Sequence, residues 1–370
     1  MHRSPLLLFT AAAFCLTGCK LLPKKDGDAA DPAAETDKER DKRTAAETEF
    51  YAECGKLGEI GGTVSGRDGW LFSGAELLKV SRISTTAAAT ASIADYAQQL
   101  RSRGIDLIVV PVPPKALVYP DKISRSAKVP MKSKRPARLD SVLKAALDDL
   151  AARKTKVVDL MPELIAHRED KGGTAFTRTG NAWSPCGVQV AVKEIAAAVK
   201  DSKAGGRGSV TGITSEPVTI TYAGNLLTGS GGKQKEETFS TVKIGRVSGD
   251  KVRSLSFNTS GGSLLLMGDN DILAWRETNN PPGSNSAFCS LAEQLAAELQ
   301  MIPDVLANSG DGRNAPRLRI LRERTSGRGM LDGTRTIVWI IPALDLISPN
   351  WQRLPLELKF TEDSPELNLR

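Results

Sequence analysis

Residues Ile105 to Pro113 read IDLIVVPVP, a continuous apolar run with none of the alternation expected of a half-exposed strand. Such a strand must be covered on both faces, which restricts the fold to helices laid on either side of a mostly parallel sheet. The rest of the chain supplies matching pieces. GSLLLMGDN (262–270) and RTIVWIIPA (335–343) are further runs of the same kind, and KVVDL (156–160) is a shorter one. Alanine- and leucine-rich stretches at helical spacing separate them: residues 86–104, 137–154, 187–200 and 286–300. Alternating strand and helix signals imply an α/β fold. Functional residues in such folds gather at the carboxyl ends of the strands. From about 201 to 260 the texture shifts to glycine, serine and threonine with short alternating stretches such as EPVTITYAG, which we read as a β-rich insertion.

The N-terminus carries Arg3, an apolar run from Leu6 to Leu16 and small residues before Cys19, the layout of an export signal too short to span a bilayer. LTGC (16–19) resembles a lipoprotein processing site, with residues 1–18 removed and Cys19 acylated. That makes the mature chain anchored to a membrane rather than spanning it. Residues 19–49 are charged and alanine-rich, and read as a disordered tether spanning ~30 Å, with a short exposed helix near ETDKERDKRTAAE (35–47) as the alternative in the same role. The expected organisation is therefore a signal at 1–18, a tether at 19–49, an α/β domain at 50–345 and a C-terminal tail at 346–370. The implied location is the periplasm, on a membrane and by preference the outer one. In that oxidising compartment one disulfide among Cys54, Cys186 and Cys289 is expected, with the pairing open.

A formal charge of +7 over 370 residues is a weak excess, mixed along the chain without interleaved aromatics, so nucleic acid is a poor partner. Beyond residue 18 the one histidine is His167, in PELIAHRED, where spacing and flanking charges place it on a solvated helix face. No cofactor and no metal is expected. Cys186 stands near a helix start, where a lowered thiol pKa or a structural thiol are both compatible with the pattern.

Four segments then carry a resemblance: GRDGWLF (66–72), LIVVPVPPKALVYP (107–120), TGNAWSPCG (179–187) and LLLMGDN (264–270). In that order they resemble the AlgJ/AlgX group of periplasmic polysaccharide O-acetyltransferases, which have an SGNH-hydrolase-like domain. The resemblance implies a catalytic loop reading Asp-Thr-His-Trp and a serine after Gly-Asp. Here Gly180 and Ala182 stand at the aspartate and histidine positions, Trp183 is kept, and Asn270 replaces the serine after Gly268 and Asp269. A serine attacks an ester only when an imidazole takes its proton and a carboxylate orients that imidazole. Glycine, alanine and asparagine supply none of these groups.

What remains suggests binding: Trp183, open between an aromatic face and core packing, beside Arg178, Asn181, Asp269 and Asn270, with polysaccharide or an acetylation-machinery protein as partner. Trp70 reads as core, and Trp275 joins it and Trp183 as an aromatic near the loop. Lys115 reads as a loop-surface or structural residue, and Ser184-Pro185 as a helix cap. Asp269 reads as a loop cap. The implied role is a non-catalytic companion in exopolysaccharide acetylation or export. Two alternatives stay open: an active acetyltransferase or acetylesterase with relocated residues drawn from Ser184, Asp269 and Asp271, and a structural interaction lipoprotein.

Overall fold

A computed structural model describes residues 36–205, 210, 212–227, 236–249, 251–276, 288–308 and 310–358, apart from the side chains of Ser248, Lys251 and Asn270. The expected signal peptide, the lipidated Cys19 and the first part of the tether lie outside the described residues, as does the tail beyond 358.

The chain opens with α1 (Asp37–Gly58), β1 (Thr63–Ser65), β2 (Leu71–Ser73) and α2 (Gly74–Val80). It continues through α3 (Ala87–Ser102), β3 (Asp106–Val112), α4 (Lys115–Val118), β4 (Met131–Lys132), β5 (Arg135–Pro136), α5 (Ser141–Ala152) and β6 (Lys156–Val157). Next come α6 (Met161–Ala166), β7 (Glu169–Asp170), β8 (Gly173–Thr174) and α7 (Pro185–Lys200). The insertion holds β9 (Ile213–Tyr222), β10 (Glu237–Ser248) and β11 (Lys251–Arg253). The last elements are β12 (Leu264–Asp269), α8 (Leu291–Leu299), β13 (Asp304–Asn308), α9 (Ala315–Thr325) and β14 (Thr336–Pro342).

The centre is a five-stranded sheet in the order β13-β12-β14-β3-β6, parallel throughout. The three apolar runs are its three middle strands, and Leu265, Leu266, Ile337, Val338, Leu107 and Ile108 are buried in register. Burial on both faces is what an unbroken apolar strand requires. Helices flank the sheet, with α3 on α5 and α7 on α8. This is the SGNH-hydrolase-like α/β arrangement, and β9, β10 and β11 form a separate antiparallel sheet within the expected insertion.

Two expectations need correction. The segment from Asp37 to Glu49, read as disordered tether, is the first half of α1, opened by a capping box between Thr36 and Glu39. Ala46, Phe50 and Cys54 bury one face of that helix, which packs on α2. Ending the tether at Glu49 split a stripe of four-residue spacing, so neither half looked amphipathic. The expected disulfide is also not seen among the described residues: Cys54, Cys186 and Cys289 are not joined to one another, the first and last being buried and Cys186 half-buried.

The tail, from 351 to 358, lies on the domain. Gln352 accepts from Ser92 Oγ at 2.7 Å, and Leu356 N–H donates to the Gln99 side chain at 2.9 Å.

Candidate functional site

β3, β12 and β14 run parallel, so their carboxyl ends open on the same side, and the loops leaving them meet the Thr177–Ser184 loop there. The loop is closed internally. The Thr177 N–H and hydroxyl both donate to the Ala182 carbonyl, at 3.1 and 2.9 Å, and Phe176 bridges Trp183. Lys115, from the Pro-Pro-Lys turn after β3, is 1% exposed and donates to the carbonyls of Gly180 (2.6 Å), Thr177 (3.3 Å) and Leu71. It is therefore a buried tie from its own turn to strand β2 and to the Thr177–Ser184 loop, and not a surface residue. Burial pushes its ammonium down to about 8, against the favourable charges of Glu76 and Glu237.

The insertion supplies the other half of the clamp. Glu237 accepts from the backbone N–H groups of Arg178 and Thr179, both at 2.8 Å. Asn225 Oδ1 accepts from Asn181 N–H at 3.1 Å. A Cβ added at Gly180 would stand 1.9 Å from the Tyr222 hydroxyl oxygen and 2.9 Å from Asn225 Oδ1. The room a larger side chain needs at position 180 is already filled by the insertion.

Below this loop lies a cavity of about 100 Å³, lined by Glu76, Lys115, Asn181, Trp183, Asp269 and Asp271 among others. Asp269 Oδ1 accepts from Asp271 N–H at 3.0 Å, the capping role read from the sequence. Burial first, then the Asp271 charge, push Asp269 up to about 7, and burial raises Asp271 as well. Burial also raises Glu76, whose Oε1 has no hydrogen-bond partner.

Trp183 is 2% exposed, so of its two readings it is the core residue and offers no open ring face for stacking on a sugar. Its Nε1 has no partner, while its carbonyl accepts the Trp275 Nε1 at 2.9 Å. Trp70 is core, 3.9 Å from Tyr119 between ring centroids. Arg178 is exposed, its guanidinium 5.8 Å from the Trp70 ring, and lines a different, larger groove of about 660 Å³. That groove is acidic: Asp68, Glu169, Asp170, Glu236 and Glu237 share it. Of the residues expected at the site, Asn181, Trp183 and Asp269 meet at the small cavity. Arg178 does not, and the Asn270 side chain lies outside the described residues.

Among the described residues no serine or histidine lines the cavity. Ser184 is buried as the cap of α7, accepting from Cys186 N–H and Gly187 N–H at 3.1 Å and donating to the Thr174 carbonyl. His167 ends α6, with Nδ1 2.9 Å from Asp170. No group of three His, Cys, Asp or Glu among the described residues is placed to hold a metal ion. Sequence reasoning missed Glu76, Tyr222, Asn225 and Glu237, which reach the loop from distant segments and carry no local motif.

A buried parallel sheet with a carboxyl-end site built on Gly-Asp and a tryptophan loop defines an SGNH-hydrolase-like protein. A family described as "SGNH hydrolase-like domain, acetyltransferase AlgX" matches residues 63–271, and the chain belongs to it. "Probable alginate O-acetylase AlgJ" of Pseudomonas putida is 30% identical over 175 residues, covering 45% of this chain and 41% of that protein. The protein of the same description in Pseudomonas aeruginosa is 29% identical over 142 residues, 38% of this chain and 34% of the relative. The chain thus aligns with well under half the length of these curated relatives. In structure it is similar to the O-acetyltransferase domain of Pseudomonas putida AlgJ, with a TM-score of 0.55 at 21% identity over 78% of this chain and 96% of that one. It is also similar to Pseudomonas aeruginosa AlgX, with a TM-score of 0.56 at 17% identity over 80% and 67%. At these identities the likeness establishes the fold.

Proposed function

We propose that this protein is a lipid-anchored periplasmic member of the family that lacks serine chemistry and serves exopolysaccharide acetylation or export by binding glycan or a protein of the acetylation machinery. One observation carries the reading. The space at Gly180, where the resemblance calls for the triad carboxylate, is occupied by Tyr222 and Asn225. An aspartate there has no room, Ala182 offers no imidazole, and Ser184 is consumed as a helix cap. Losing triad members costs on the order of 10⁴ to 10⁶ in rate. The chain keeps the cavity and its polar rim: Asn181, the Trp183 indole N–H, and the Asp269 and Asp271 carboxyls. At about 100 Å³ the cavity suits a single substituent of a sugar, with the polymer lying outside it.

The test is turnover of a chromogenic acetyl ester together with binding of acetylated and deacetylated polyuronate. No hydrolysis above the uncatalysed rate, with glycan binding weakened in Asn181→Ala, supports the reading.

A second reading has one observation in its favour. Asp269 is pushed up to about 7, a value suited to a general base acting on water. Turnover that is abolished by Asp269→Asn and unaffected by Asn181→Ala would establish that reading in place of the first. Anchoring is tested separately, by recovery of the chain in the membrane fraction and its loss in Cys19→Ser.

A further inference from the structure

Between Asp121 and Asp140 the chain contains no acidic residue, while Arg125, Lys128, Lys132, Lys134 and Arg135 are all exposed there. None of these five cations forms an ion pair among the described residues; the neighbouring Lys122 and Arg138 do, with Asp68 and with Asp140 and Asp159. Three of the five lie on the β4–β5 hairpin, with Lys132 opposite Arg135. Met131 stands among them, 46% exposed.

The hairpin is built rigidly. At its base Pro136 is buried, Ala137 N–H donates to the Pro130 carbonyl at 2.8 Å, and Ser124 Oγ donates to Glu53 on α1 at 2.8 Å. At its tip Ser133 and Lys134 have φ of 50° and 65°. Consecutive left-handed residues make the two-residue turn that matches strand twist, and that turn ordinarily uses Asn-Gly. A lysine held in such a conformation at the tip is presented to the outside at a conformational cost.

Its position is informative too. The Glu39 carboxyl, in the first turn of α1, is held below its usual value by the Thr36 N–H and hydroxyl and further by the Lys132 charge. The described chain therefore begins beside the hairpin. Sixteen residues, Lys20 to Glu35, separate Cys19 from the start of the described chain.

We propose that the β4–β5 hairpin, with Arg125 and Lys128 behind it, is a docking surface for a membrane bearing anionic phospholipid headgroups. Cations near such a surface are each worth roughly fivefold in partitioning, and an exposed apolar side chain among them adds contact with the interface. The acidic groove carrying Asp68, Glu169, Asp170, Glu236 and Glu237 is repelled by the same surface. The field thus favours an orientation with the hairpin toward the bilayer and the groove away from it. This inference uses the lipid-anchor reading only to bring the chain close to a bilayer.

The test uses the full chain carrying Cys19→Ser, so that no acyl group contributes, and sedimentation with vesicles of phosphatidylcholine alone or mixed with phosphatidylglycerol. Binding is expected only to the mixed vesicles, falling as salt is raised. The variant Lys132→Glu/Lys134→Glu/Arg135→Glu, which changes six units of charge, should lose on the order of 10⁴-fold in partitioning with an unchanged thermal midpoint. A glutamine version at the same positions should lose less, and it keeps the comparison valid should charge reversal disturb folding. Equal binding to both vesicle types overturns the proposal, as does retention of binding in the variants. So does hairpin-dependent binding to soluble polyuronate with none to vesicles, which would make the hairpin a glycan arm. Membrane recovery of the unmodified chain reports on the anchor by itself.

Discussion

Lys115 Nζ lies 2.6 Å from the carbonyl oxygen of Gly180, so the turn after β3 holds the degenerate loop by its backbone and not by any side chain of that loop. The loop's backbone is thereby held without any side chain of residues 180 to 182, and it persists where triad groups do not.

That tie is costly to keep charged. Lys115 is depressed to about 8 from an unfolded value near 10.5, so the unfolded chain holds more protons between those limits. Its contribution to stability therefore rises with pH from about 8 to 10.5 and is unfavourable and constant below 8. Lys115→Met should remove that rise in urea titrations at pH 7.5 and 9.5. It should also destabilise by about 2 to 4 kcal/mol at neutral pH, because three buried carbonyls lose their donor.

Position 180 is predicted to be intolerant of any side chain. Gly180→Ala should cost about 2 to 3 kcal/mol by overpacking against Tyr222, and Gly180→Asp more. Shortening the partner in Gly180→Ala/Tyr222→Ala should return part of that loss, read as a non-additive cycle in thermal melts. Full additivity would mean the two residues do not compete for one space.

Asp269 gives the opposite pH signature to Lys115. Its folded value, about 7, lies above the unfolded one near 3.8, so its contribution is fully present below pH 3.8 and is lost as pH rises through 7. Asp269→Asn keeps the oxygen that accepts the Asp271 N–H. It should be more stable than the wild type at pH 7.5 by about 1 to 2 kcal/mol, a figure reduced for the carboxyl's partial exposure, and equal to it near pH 4.

Ser184→Ala should lower stability by about 1 to 2 kcal/mol, the usual loss for a helix cap. It should leave acetyl-ester turnover unchanged. A loss of turnover with unaltered melting would give Ser184 a chemical role that its buried position does not predict.

The tail is held by Arg317, 1% exposed, which donates to the Gln352 carbonyl at 3.0 Å and packs near Tyr96, Trp339 and Trp351. Arg317→Met should raise amide exchange at residues 351–358 ahead of the rest of the domain. Uniform exchange throughout would show that the tail is not a separable unit.

Much of the fold was legible in the chain itself. Unbroken apolar runs at 105–113, 264–268 and 335–343 admit only strands covered on both faces, and their alternation with helical stretches set the parallel order. The same local chemistry marked Ser184-Pro185 as a helix start and Asp269 as a cap. Those features depend on residues a few positions apart, and a sequence states such spacing directly. The helix in α1 was legible only as a short exposed alternative, and its length and packing were missed because its buried stripe crosses the boundary drawn at Glu49.

The tertiary structure decided the character of the site. Lys115 is interior because β2 at Leu71 and one loop at Thr177 and Gly180 bring it carbonyls, and no local pattern announces an arrangement drawn from segments so far apart in the chain. Tyr222 and Asn225 close position 180 from some 40 residues away, and Trp183 is buried, its carbonyl taking the Trp275 indole N–H. Which groups are missing follows from residue identity. Whether their space stands open or is filled follows from how distant segments pack, because volume and burial belong to the assembled molecule.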